Sequence, residues 1–379
     1  MTDKLYNKSS NTLHLTYSYI LKTNSDELDE LPKGCIVSFI DTNNRFIFDS
    51  CYKNKKIVRV INNYTFDDNF NKKLRPDMFP ESLTVLQFND IYNMVIEKNC
   101  LPDYLTTIIF GKNYDQIFKK DIFPKSLEKI ELGKCYNQKI EKNVLPLNLK
   151  ELIFGYYYDK DIGEQVLPKK LEKIIFGFEY QAEIMRGVLP CGLKTIVFGS
   201  GYNTEIKDGV LPNNLVNITF GNNYKYELKE NILPKTLKNL SLGLEYKFKL
   251  KPNILPDGLE QLIFSDSYNE ELEKYVLPPN LKEITFGKGY AQIIKNNVLP
   301  ATVTTLRFYG SDENLSVINN LPDTVKELIF YNLSTELTNL PSSISIIKLL
   351  CYSIYKKKFL NKIPFGCQVL NSKNEEITI

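Results

Sequence analysis

Hydrophobic and polar positions along this chain recur with a period of 22 residues, longer than the period of 2 or 3.6 that marks a lone strand or helix. From Pro80 to Pro322 a proline stands at every twenty-second position. With that proline as position 0, position 3 is Leu or Val, position 6 is Ile or Leu, and position 8 is Phe except at Leu132 and Leu242. Position 9 is usually Gly. Position 12 is Tyr from Tyr92 through Tyr290, position 16 is apolar over the same stretch, and position 21 returns to Leu or Phe. A fixed period of this size predicts stacked coils, because each unit can bury its apolar face only against its neighbours. Positions 5 to 8, as in Glu151–Phe154 and Asn217–Phe220, alternate outward and inward and are rich in β-branched and aromatic residues, which predicts a short strand. Repeated in one direction, these strands predict a β-rich solenoid with one long parallel sheet and little helix.

The rest of the unit must turn back. Glycine at position 9 is expected to permit a sharp turn, and Asn or Asp at position 13 favours another. The segment before each proline is expected to be extended, since the residue ahead of proline avoids the helical region. Charge supplies an independent check on stacking. Position 4 alternates in sign through Glu128, Lys150, Glu172 and Lys194, then Lys238, Glu260 and Lys282, while position 5 runs in opposite phase at Lys129, Glu151 and Lys173. Strands about 4.8 Å apart require such alternation to keep like charges from facing each other.

Both ends depart from the pattern. Tyr64, Phe66, Asp67, Phe70, Asn71, Leu74 and Phe79 occupy repeat positions in a unit that lacks its proline. The predicted organisation is an N-terminal cap over residues 1–57, with strand-like segments at Leu13 and Phe46. A 22-residue repeat solenoid follows over 58–322, then degenerate repeats and a C-terminal cap over 323–379.

Composition narrows the class. At 43% hydrophobic and 25% charged residues the chain is too apolar to be disordered, so it is expected to fold. Its net charge of +3 comes from interspersed lysines and acids, which offers no basic stripe for nucleic acid. The run Lys356–Lys358 reads as solvated surface. Seven cysteines form no CxxC pair and one histidine, His14, leaves a zinc site without ligands, so reduced thiols, no metal and no cofactor are expected. No run approaches the length of a membrane span and the first residues lack a signal peptide's apolar core, which points to a cytoplasmic chain, with the nucleus also open to it.

The LxxLxF layout is similar to the strand segment of leucine-rich repeats. Tyr92-Asn93-Ile96, Tyr136-Asn137-Ile140, Tyr202-Asn203-Ile206 and Phe70-Asn71-Leu74, with the LP and FG landmarks, resemble the FNIP repeat in phase over residues 58–340. FNIP-repeat proteins are known chiefly from social amoebae and giant DNA viruses. The resemblance implies protein–protein interaction without catalysis, in the host cytoplasm if the chain is viral. Some members carry an F-box and serve as substrate receptors of ubiquitin ligases; Leu31-Pro32 echoes its start, but Cys35–Phe48 lacks a three-helix pattern. A structural or packaging component is a further alternative.

No Gly-rich phosphate loop or nucleophile motif accompanies His14, so no catalytic residue is assigned. The tyrosines of position 12 could serve as base-stacking platforms, but ten in register beside no basic stripe fit packed columns better. The candidate partner-binding row is position 7, outward on the sheet, where Ile109, Ile153, Ile175, Val197 and Ile263 fall, bordered by Glu151, Lys173 and Thr195. The partner is expected to be a protein.

Overall fold

The computed structural model describes residues 4–7, 12–15, 36–40, 63–66, 69–309, 321–351 and 359–377, apart from a few single positions inside the longer ranges. The segments at Leu31-Pro32, Phe46–Phe48 and Lys356–Lys358, with Asp67 and Pro80, lie outside the described residues. The chain divides into two units, residues 1–193 and 194–379.

In the first unit the strands Thr12–Leu15, Ile36–Ile40, Asn63–Thr65, Val85–Gln87, Thr107–Ile109, Lys129–Glu131, Glu151–Ile153 and Lys173–Ile175 form a parallel ladder. Lys4–Asn7 pairs antiparallel with Thr12–Leu15. His14 thus lies on a strand. In the second unit a parallel ladder runs from Thr195–Val197 through Asn217–Thr219, Asn239–Ser241, Gln261–Ile263, Glu283–Phe286, Thr305–Phe308, Glu327–Phe330 and Ile346–Leu349 to Gln368–Asn371. Residues around Glu376 fold back antiparallel on that last strand. Pairing joins equal repeat positions, as in Ile130↔Leu152 and Ile218↔Leu240, so each unit is a solenoid of 22-residue rungs of the expected leucine-rich-repeat-like kind.

Like residues stack over like. Neighbouring Phe rings of position 8 lie 5.4–5.8 Å apart, as in Phe88–Phe110, Phe154–Phe176 and Phe198–Phe220, and position-12 rings 6.0–6.3 Å apart, as in Tyr92–Tyr114 and Tyr202–Tyr224. Tyr92 through Tyr268 are essentially without solvent contact. This burial excludes the tyrosines as base-stacking platforms. The rung lacking its proline obeys the same rule, with Phe66, Phe70, Leu74 and Phe79 buried.

Of three expectations about the turns, the first gains its physical cause and the other two need correction. Position-9 glycines show no positive φ. Glycine stands there because successive rungs nearly touch: a Cβ on Gly155 would lie 1.8 Å from the carbonyl oxygen of Gly133, and one on Gly243 1.8 Å from that of Gly221. Position 13 closes no turn either. The corner falls earlier, where the Tyr158 amide donates to Gly155 O at 3.2 Å. The position-13 side chain instead reaches the next rung, Asn93 Oδ1 accepting from Asp115 N (3.0 Å), Asp115 Oδ1 from Asn137 N (2.8 Å) and Asn137 Oδ1 from Asp159 N (3.0 Å). Third, the stretch before each proline is not wholly extended. Position 19 is left-handed in ten successive rungs, from Asn99 to Asn297, with φ of 60–85°.

Asn, Asp and Gly tolerate that conformation; Tyr275, at φ 70°, does not. Its ring is largely exposed, with Lys274 Nζ 4.7 Å above its centre, so little packing is lost on removing it. Tyr275→Asn is expected to raise stability by about 1 kcal/mol. A thermal or denaturant midpoint that falls instead would contradict this account of position 19.

Candidate functional site

Alternation along each short strand decides what faces outward. Position 6 is buried in every rung from Leu86 to Leu328, while positions 5 and 7 on either side are mostly half-buried or exposed. Ile109, Ile153 and Ile175 in the first unit, and Val197 and Ile263 in the second, accordingly lie on the outward face, Ile263 being 44% exposed. Glu151, Lys173 and Thr195 occupy position 5 as their border. The position-7 row is interrupted by polar side chains at Gln87 and Glu131 in the first unit and at Thr219 and Ser241 in the second.

The charges along this border neutralise one another. Lys173 reaches Glu151 at 2.9 Å, and Lys129 lies 3.6 Å from Glu131 and 3.9 Å from Glu151. One position earlier, Lys150 meets Glu128 at 2.7 Å, and Glu260 sits between Lys238 (3.0 Å) and Lys282 (2.6 Å). Hydrogen bonds from Lys282 and then Lys238 hold the Glu260 carboxyl below the usual carboxylate range. The sign alternation read from the sequence is therefore realised as inter-rung pairs. Exposed pairs of this kind add little stability and mainly keep the register.

Beyond the strand, position 10 adds a second outward row that the sequence reading overlooked. In the first unit Tyr156 and Phe178 stack with ring centres 4.9 Å apart, and Lys134 Nζ lies 4.8 Å above the Tyr156 ring. Both rings are partly exposed. Their signal was legible, because apolar side chains interrupt a position otherwise held by Asp90, Lys112, Ser200, Asn222, Asp266 and Lys288.

In the second unit the two rows enclose a groove of about 480 Å³. Its floor is the position-7 series Thr219, Ser241, Ile263, Thr285 and Arg307, and its wall the position-10 series Asn222, Leu244, Asp266 and Lys288, with Tyr309 also lining it. Asp266 faces Lys288 at 3.4 Å. Arg307 donates through Nε to Glu283 Oε1, and Gln261 Nε2 donates to Glu283 Oε2 at 3.4 Å. Of the row singled out from sequence, Ile263 lies in this groove; Ile109, Ile153 and Ile175 belong to the first unit's face, and Val197 lies one rung before the groove begins.

Among the described residues no three His, Cys, Asp or Glu side chains cluster to hold a metal, and Cys100, Cys135, Cys191, Cys351 and Cys367 carry free thiols. No helix among the described residues is long and apolar enough to cross a membrane.

The sequence profile of the FNIP Repeat family matches residues 60–90 and, in overlapping segments, 92–332. A comparison with curated proteins finds no match. Among solved structures, the chain is similar to the giant-virus protein CroV588, described as a novel circular leucine-rich-repeat structure, at 33% identity and a TM-score of 0.70, over 82% of this chain and 49% of that one. It is also similar to the Drosophila Toll–Spatzle complex, at 13% identity and a TM-score of 0.59, over 95% of this chain and 54% of that one, a likeness of fold alone. The chain thus spans about half the length of each.

Proposed function

The chain belongs to the FNIP-repeat family, and from that premise we propose that it is a non-enzymatic scaffold that binds a protein partner through the outward face of its sheets. The observation that carries this reading is the outward row of each sheet, half-buried Ile153 and Ile175 in the first unit and half-buried Val197 with exposed Ile263 in the second, on faces whose charges are already spent on one another. Such a surface offers apolar contact area at low desolvation cost. The same fold in the Toll–Spatzle complex is found in an assembly of two proteins, which favours the reading by analogy. The ubiquitin-ligase alternative gains nothing from the described residues: Ile36–Ile40, inside the segment an F-box would need as helix, is a strand. A reducing compartment such as the cytoplasm suits the free thiols and forms part of the same proposal.

The test is quantitative affinity capture with the full chain. Replacing Ile153, Ile175 and Val197 together with Glu is expected to leave far-ultraviolet circular dichroism unchanged, since all three lie half-buried on the outward face of their sheets and outside the core, and to remove specifically recovered proteins. Leu147→Glu and Met185→Glu, exposed positions away from positions 5 to 10, serve as controls and should retain them. Equal recovery by the face variant and the controls would reject this face as the binding surface.

A further inference from the structure

Five successive rungs at about 4.8 Å make the second unit's groove roughly 20 Å long, the span of about six residues of extended polypeptide. Its floor is mostly uncharged, and the amides beside it are largely committed: Asn239 Nδ2 donates to Asn217 Oδ1 (2.6 Å) and Asn217 Nδ2 to Thr195 Oγ1 (2.9 Å). Arg307 differs. Its side chain is 36% exposed, Glu283 takes only Nε, and among the described residues none accepts from the terminal guanidinium nitrogens. Glu283 is itself steadied by Gln261, so the guanidinium of this groove-lining residue is held on its Nε edge. The chain contains 43 lysines and 5 arginines, so arginine at this floor position is a departure from its own habit. A planar fork is what lysine cannot supply: two parallel N–H groups matched to a carboxylate.

We propose that the groove receives an extended peptide segment of the partner and that Arg307 anchors an Asp or Glu carboxylate of that segment through its terminal nitrogens. Ile263 and Leu244, both more than 40% exposed, supply apolar contacts beside the anchor. The inference rests on the sheet-face reading above and adds to it the partner's chemistry. The acidic side chain displaces water from the guanidinium without breaking the Glu283 pair, since the two carboxylates use different edges.

A displayed library of random linear peptides, selected on the full chain, tests this. Clones are then measured on Ser241→Arg, which fills the groove floor, and on Arg307→Gln and Arg307→Lys. The expected result is a set of peptides sharing one Asp or Glu, lost on Ser241→Arg, weakened about tenfold or more by Arg307→Gln, and only partly restored by lysine, which keeps the charge but not the fork. Peptides lost on Ser241→Arg but indifferent to both Arg307 variants, or sharing no acidic residue, would overturn the anchor while leaving the sheet-face reading intact. Absence of any clone sensitive to Ser241→Arg would overturn the groove as a peptide site, whereas the sheet-face reading is decided separately by the Ile153, Ile175 and Val197 variant. Because Arg307→Lys preserves the ion pair to Glu283, a folding defect in the glutamine variant does not blunt the comparison.

Discussion

Gly155→Ala is expected to destabilise the first unit by about 3 kcal/mol or more, an effect far larger than adding one methyl group to an ordinary surface turn. The new Cβ would fall 1.8 Å from the carbonyl oxygen of Gly133, so the two rungs must part or the corner must refold. Neither is cheap. Parting the rungs stretches the bond from Tyr157 N to Lys134 O at 3.0 Å, and it loosens the packed rings of Tyr136 and Tyr158. Asn89, Ser265, Tyr309 and Tyr331 put a side chain at this position, and the two small polar ones show how it is accommodated. Ser265 donates through its hydroxyl to Tyr246 O, and Asn89 donates through Nδ2 to Phe70 O at 2.9 Å, in each case the position-12 carbonyl of the rung before. Gly155→Ser is therefore expected to cost less than Gly155→Ala, although serine is the larger and more polar residue at a buried site. Chemical denaturation of the three proteins decides it; alanine at least as stable as serine would contradict the role assigned to that carbonyl.

The period, the strand positions and the aromatic columns were legible because each is a property of one unit repeated, and repetition turns weak local signals into a strong one. The charge alternation at position 4 was legible for the same reason. The cause of glycine at position 9 was not, since a close approach between rungs produces the same residue preference as a left-handed turn. Position 19 was open to reading, as Asn, Asp and Gly fill it in all rungs but those of Gln165 and Tyr275, yet the proline three residues on drew attention to extension instead. At position 13, Asn and Asp fit a turn or a ladder equally well by type; the coordinates decide for the ladder, and Lys225 and Lys247, which cannot continue it, mark where it lapses.

The candidate face was half legible. Alternation sufficed to place position 7 outward, but a groove is the joint product of side chains 22 residues apart on two rows, and its depth depends on which of them are short. Thr219, Ser241 and Thr285 leave space that Leu244 and Lys288 border. Arg307 sits in position 7 of a rung whose strand has lengthened to Thr305–Phe308, and its pairing with Glu283 joins position 7 to position 5 of the preceding rung. A row-by-row reading of equal positions passes over such a diagonal contact.

The tyrosine column carries the last expectation, a steep loss of structure in alkali. Burial raises the hydroxyl pKa of Tyr224 and Tyr268 to about 12, and raises those of Tyr92, Tyr114, Tyr136, Tyr158, Tyr246 and Tyr290 further still. Leu228 N donates to Tyr246 Oη at 3.3 Å, which offsets part of the cost of a phenolate there, whereas Tyr114 and Tyr158 find no such donor among the described residues. In the unfolded chain a tyrosine ionises near pH 10. The folded state then holds protons that the unfolded state has released, so stability is complete below pH 10 and falls as pH rises through the folded values. At pH 11 each such tyrosine costs about 1.4 kcal/mol, and four in each unit cost about 6 kcal/mol, comparable to the whole stability of a typical domain. The column should ionise only together with the loss of β-sheet circular dichroism. Phenolate absorbance appearing for every tyrosine near pH 10, with the sheet signal intact, would show that the column is open to water and that the packing described for it is wrong.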